Sequence, residues 1–172
     1  MSRGAPAAGW AVGYYQGAEH SEVRRDEQGG RRGSAAARLS ATEVARVSVS
    51  HQPFLPVQGG QRFSFGCWYR TEGVSEGRPR ARLTFVDAKH KPPAGKPFEF
   101  FAEGEADSHG WQEMRIDEVI APEGAELLTV EMFLWEAAGT VWFDAAELLH
   151  EGKNVLPNPE FETPAEAVDA RS

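Results

Sequence analysis

The sequence holds a single cysteine, Cys67, which excludes an internal disulfide and any cysteine cluster for zinc or iron–sulfur. No apolar run approaches the roughly 18 residues that a helical membrane span requires, so a membrane partner is not expected. Helix signals are also sparse. Ala41 to Ala45 is predicted to make one helical turn, and the stretch from Thr163 to Ser172 has helix formers without an apolar face, which predicts a flexible tail. Positive charge is in short supply: with a formal net charge of −8 and a pI near 5.2, the chain lacks the basic surface that nucleic-acid phosphates demand. Arg24-Arg25, Arg31-Arg32 and the set Arg78, Arg80, Arg82 are local exceptions, read as solvated loops and strand edges.

Signs of catalysis are missing as well. The histidines, His20, His51, His90, His109 and His150, show no close ligand spacing, and no Gly-x-Ser-x-Gly elbow occurs. A glycosidase needs two carboxylates roughly 5 to 9.5 Å apart, but 26 acidic residues would supply such a pair by chance. The expectation is a non-catalytic protein. The N-terminus, Met1 to Ala8, has no apolar core of a secretory signal. Two expectations follow: a cytoplasmic protein, or an extracellular one that has lost a leader or belongs to a larger secreted parent.

What is present is turn chemistry and alternation. Eighteen glycines and eleven prolines fall between short apolar runs, as an all-β chain with many turns requires. A chain of 172 residues, 41% hydrophobic, suffices for one sizeable core. Side chains on a strand alternate between faces, so Phe63, Phe65, Cys67 and Tyr69 line one buried face of a strand over Arg62 to Arg70. The same period marks Val47 and Val49; Ala81, Leu83 and Phe85; and Leu128, Val130, Met132 and Leu134. Further strands are predicted at 10–16, 35–40, 98–102, 111–118 and 140–149. About ten short strands predict a sandwich or barrel. One domain is expected over residues 1–162, followed by the tail 163–172.

Several segments match one pattern in order: Gly60 to Arg70, Gly110-Trp111-Gln112, Ala121-Pro122-Glu123-Gly124, Gly139 to Asp144, and Asn158-Pro159-Glu160-Phe161-Glu162. Together they resemble carbohydrate-binding modules of the family-4/9 type, over residues 9 to 162. The resemblance implies a galactose-binding-like jelly roll, a β-sandwich of two antiparallel sheets. Such modules begin with the Asn-Pro-x-Phe-Glu strand and then reach a Gly-Trp. This chain begins at Gly9-Trp10 and ends with that strand, in apparently permuted order. The final strand, residues 154–162, is then expected to fold back into its own sheet, to be donated to a neighbouring copy, or to open a following module.

The resemblance also implies sites. A structural Ca2+ would be held by Glu160, Glu162, the backbone carbonyl of Gly33 and Asp144, a hard-oxygen donor set suited to that ion; alternatively Asp144 caps a loop and Glu162 is solvated. A poly- or oligosaccharide would lie on the concave sheet, over the outward partners of the core residues. These are Ser48 and Ser50, Arg82 and Thr84, and Thr129, Glu131 and Phe133, with Tyr14 and Tyr15 where the family often places a stacking aromatic and Trp135 at a cleft rim. Arg82 and Glu131 form either a charged pair for sugar hydroxyls or a plain cross-strand ion pair. Trp68, Trp111 and Trp142 are read as structural. The leading expectation is a carbohydrate-binding module that targets or adheres. The alternative is an assembly protein that uses its terminal strand or acidic surface against copies of itself or a parent protein.

Overall fold

The computed structural model describes residues 7–156 and 159–162. Within them run ten strands: β1 (Trp10–Gln16), β2 (Ser21–Asp26), β3 (Ala36–His51), β4 (Leu55–Pro56), β5 (Arg62–Ser75), β6 (Arg78–Val86), β7 (Glu99–Glu103), β8 (Gln112–Ile120), β9 (Leu127–His150) and β10 (Lys153–Asn154). Apart from one 3-10 turn at Ala18–His20, no helical element occurs among the described residues. The fold is therefore all-β, and every strand pairing is antiparallel.

Two layers arise because β3 and β9 are long enough to serve both. Val47 to Ser50 of β3 face Leu134 to Glu131 of β9, within a first layer ordered β1-β3-β9-β6-β7. Ala37 to Ala41 face Phe143 to Gly139, within a second layer ordered β2-β3-β9-β5-β8. The register of β3 against β9 shifts between Ala41 and Val47. Irregularities of this kind bend a strand and sharpen its twist, which lets β3 pass from one layer to the other. The layers stay joined in one hydrogen-bonded network.

Alternation places the core as expected. Val47, Val49, Leu83, Phe85, Val130, Met132 and Leu134 come from the first layer, and Leu39, Phe65, Cys67, Tyr69, Val141 and Phe143 from the second. Burying each large apolar side chain contributes on the order of 1.5–3 kcal/mol, which makes this interface the main source of stability.

Three local expectations are corrected. Ala41 to Ala45 form no helical turn: Ala41 pairs with Ser21 and Gly139 while Ala45 pairs with Ala137, and these tertiary ladders outweigh a weak local helix preference. The runs at 35–40 and 47–49 are one strand, as are those at 128–134 and 140–149. The strand expected over 154–162 is reduced to β10, and residues 159–162 pair in no ladder. Pro157 and Pro159 lack the amide hydrogens a ladder uses.

Residues 159–162 nonetheless seat on their own chain. Phe161 is 0% exposed, its ring 4.9 Å from that of Trp10. The Ala146 amide donates to the Pro159 carbonyl at 2.9 Å, and Arg25 donates to the carbonyls of Phe161 and Glu162 at 2.6 and 2.8 Å. The tail predicted over 163–172 lies outside the described residues.

Candidate functional site

The outward face of the first layer is a grid set by strand register. Ser48, Phe133 and Arg80 form one row; Ser50, Glu131, Arg82 and Phe101 form the next; Thr129, Thr84 and Glu99 form a third. Trp135 stands beside Arg78 at the margin. Each row follows from the period of two that sends Val130, Met132 and Leu134 the other way.

Glu131 is the polar centre, at only 5% exposure. Its Oε2 accepts the Tyr15 hydroxyl at 2.6 Å and the Ser48 hydroxyl at 2.5 Å, while its Oε1 accepts an Arg82 Nη–H at 2.6 Å. Arg82 also lies 3.5 Å from Glu99. Arg82 and Glu131 are therefore a cross-strand ion pair that also carries a tyrosine. The Tyr15 phenol is pushed up to about 12, first by burial of its hydroxyl and then by the Glu131 carboxylate that accepts its proton. The residue as a whole is 55% exposed. Gly13 makes this pose possible, since a Cβ there would stand 2.7 Å from Ser48 Oγ and 2.8 Å from the Tyr15 ring.

An aromatic row runs beside the hub. Tyr15 and Phe133 have centroids 5.9 Å apart, and Phe133 and Trp135 meet edge-on at 5.0 Å. Arg80 and Arg46 both lie over Trp135, each at 4.4 Å, and Arg82 lies over Phe133 at 5.0 Å. A depression of about 230 Å3 opens next to the hub, lined by Tyr15, Ser50, Gln52, Arg82, Thr84 and Glu131 among others. Tyr15, Arg82, Thr84, Thr129 and Glu131 thus converge. Phe133 adjoins them but is 1% exposed, so it supports the face from beneath. Thr129 is buried and donates to the His51 carbonyl at 2.8 Å.

Tyr14 does not join this group. It pairs with Val47 and packs against the hydrophobic core, because consecutive residues of β1 point to opposite faces. Sequence reasoning missed Arg80, Arg46 and Phe101 on this face. The alternation of Arg78, Arg80 and Arg82 was the signal that placed all three on one side.

A second cleft, of about 280 Å3, lies at the chain's end and is lined by Arg31, Arg32, Ser34, Asp144, Asn154 and Glu160 among others. Asp144 is buried and accepts the amides of Arg31 at 3.0 Å and Ala145 at 2.7 Å. Burial raises its carboxyl above the usual carboxylate range, and the charges of Glu160 and Glu162 add to that rise. No side-chain cation pairs with any of the three among the described residues. Glu162 turns to accept the Ala35 amide at 3.1 Å, and Gly33 does not line the cleft. No ready-made set of three metal-capable side chains occurs among the described residues.

The second layer's outer face carries stacked arginines and tryptophans. Arg70 covers Trp142 at 3.8 Å, Arg31 covers Trp68 at 3.7 Å, and the Trp142 indole donates to Asp26 at 3.0 Å.

No protein-family model matches the chain, and no curated protein sequence matches it. Solved structures do match. The enzymatically active domain of tailspike protein 4 of bacteriophage CBA120 is similar at a TM-score of 0.66 and 13% identity over 87% of this chain. The chain spans only 21% of that domain. The Clostridium thermocellum xylanase 10B structure, a family-22 carbohydrate-binding module with a family-10 glycoside hydrolase module complexed with xylohexaose, is similar at 0.60 and 13% identity, covering 87% of this chain and 27% of that one. A family-61 carbohydrate-binding module solved with β-1,4-galactotriose is similar at 0.52 and 16% identity, covering 85% of this chain and 95% of the module. At these identities the likeness establishes the fold, the jelly-roll β-sandwich that carbohydrate-binding modules adopt.

Proposed function

We propose that this protein is a non-catalytic module that binds a poly- or oligosaccharide on the concave outer face of its first layer, serving to target or adhere. The observation that carries the reading is the hub of Glu131, Arg82 and Tyr15 opening into a depression beside an aromatic row. The exposed Tyr15 ring suits a sugar C–H surface, and fixed polar groups suit hydroxyls. The module's partner is neither nucleic acid nor a membrane, and its place is outside the cell within a secreted carbohydrate-active protein. The family-4/9 assignment and the permuted strand order belong to the same reading.

Calcium belongs to this proposal too. Asp144, Glu160 and Glu162 would hold the ion, and the Gly33 carbonyl of the expected set would have to reach it from outside the cleft's lining. Their fit rests on a buried carboxylate destabilised by two neighbouring acidic charges, with no side-chain cation paired to it among the described residues. Ca2+ would supply neutralisation there and tie residues 159–162 to the body of the fold.

The test is affinity electrophoresis through a polysaccharide panel with wild type, Tyr15→Ala and Trp135→Ala. Each substitution is expected to weaken retention by about tenfold without unfolding, as loss of a stacking ring does. Unchanged retention in both variants refutes the face. Tyr14→Ala is expected to lower stability and leave retention intact. The assembly alternative, through a donated terminal strand, has less support because Phe161 is already buried against Trp10 of the same chain.

A further inference from the structure

Resting on that reading, we infer that the saccharide is acidic, carrying uronate carboxylates, and that Arg80 selects them. Three arginines on the outer face of the first layer stack on aromatic rings, and two are neutralised. Arg46 pairs with Glu136 at 2.6 Å, and Arg82 pairs with Glu131 and Glu99. Arg80 differs. Its guanidinium lies over Phe101 at 4.2 Å and over Trp135 at 4.4 Å, yet it makes no ion pair or hydrogen bond with a described residue. Its Nε is shielded from solvent and has no acceptor. Glu103, its cross-strand neighbour in β7, is exposed and forms no ion pair with it.

Stacking occupies the faces of a guanidinium and leaves its edge donors for a planar acceptor. A carboxylate meets that edge with two parallel hydrogen bonds, which a sugar hydroxyl does not. Phe101 and Trp135 fix the plane, so little rotamer freedom remains to be lost on binding. Arg80 shares a row with Phe133 and Ser48, beside the row that holds Glu131 and Arg82. A uronate unit seated there continues a chain whose neighbouring unit occupies the depression by the hub. The net charge of −8 opposes indiscriminate attraction of polyanions, so an acidic ligand must be held by a specific contact such as this one.

The test uses the full chain in affinity electrophoresis against polygalacturonate, alginate and glucuronoxylan. Each polymer is paired with its carboxyl-reduced form, and neutral xylan and β-1,4-galactan are run alongside. Wild type is expected to bind at least one acidic polymer about tenfold more tightly than its reduced form. Arg80→Gln is expected to erase that difference while leaving retention on the reduced form within about twofold. Arg78→Gln removes the same charge from an exposed neighbour and is expected to change retention by less than about twofold. Near-ultraviolet circular dichroism establishes that the variants are folded, and Arg80→Lys, which keeps the charge without the fork, is expected to fall between wild type and Arg80→Gln. Equal binding of acidic and reduced forms, or an acidic preference that survives Arg80→Gln, overturns the inference. So does an equal loss in Arg78→Gln. Binding to neutral polymers alone overturns it while sparing the saccharide reading, whereas no binding to any polymer sinks both.

Discussion

Phe161→Ala measures how far the chain's end belongs to its own core. The Phe161 side chain is fully buried against Trp10, whose other side meets His51 edge-on at 5.7 Å. Trp10 is held in β1 by its pairing with His51, so the space left by the ring cannot fully collapse. A buried Phe→Ala change costs about 3–5 kcal/mol when the cavity persists. In a protein of this size each kcal/mol lowers Tm by about 2–4 °C, so a fall of roughly 6–20 °C is expected. Phe161→Leu, which keeps most of the volume, should cost only about 1 kcal/mol. Urea unfolding followed by tryptophan fluorescence reads both, and the midpoint loss should not vary over a hundredfold range of protein concentration, roughly 1 to 100 μM. A loss under about 1 kcal/mol for Phe161→Ala would refute the seating of this segment, and a loss that fades on concentration would show that the segment is exchanged between copies.

Asp144 has a raised carboxyl, so the folded state holds its proton more tightly and metal-free stability falls as pH climbs through and above 3.8. Asp144→Asn is therefore expected to hold or raise Tm in EDTA at neutral pH and to abolish any Ca2+-dependent gain; a gain that persists in the variant removes Asp144 from the ion's site. His51 sits buried, and its burial lowers its pKa below 6.5 despite an opposing contribution from the Pro53 backbone. The unfolded state then binds the extra proton, so stability is lost as pH falls through 6.5, and His51→Leu should flatten the urea midpoint between about pH 7.5 and pH 5. An unchanged slope in the variant assigns the acid loss elsewhere. The Tyr15 phenol, raised to about 12, contributes stability below pH 10 that is lost as pH rises toward 12. Ultraviolet titration should show late phenolates from Tyr15 and from Tyr69, whose burial also raises it, and Tyr15→Phe should remove one of them; ionisation of Tyr15 near pH 10 would mean that its bond to Glu131 does not form in solution.

Alternation alone settled much of this molecule. A period of two in Phe63 to Tyr69, Ala81 to Phe85 and Leu128 to Leu134 determined which side chains enter the core, because a strand has only two faces. The same period placed Arg82, Thr84, Thr129 and Glu131 together on the opposite side. It did not choose between Tyr14 and Tyr15, since the phase of β1 is set by its pairing of Tyr14 with Val47, a contact across 33 residues of chain. Nor did local sequence show that β3 and β9 each cross both layers. Ala41 to Ala45 prefer a helical turn weakly, and only the ladders to β2 and β9 overrule it. The inner geometry of the face was likewise a tertiary outcome: that Glu131 gathers three donors, that Phe133 is covered, and that Arg80, of the three arginines stacked on this face, is the one whose edge pairs with no described residue depend on side chains from β1, β3, β6, β7 and β9 meeting across the sheet. Composition and period specify which face a residue takes, whereas its partners are chosen by strand order and register, which long-range hydrogen bonding and core packing decide together.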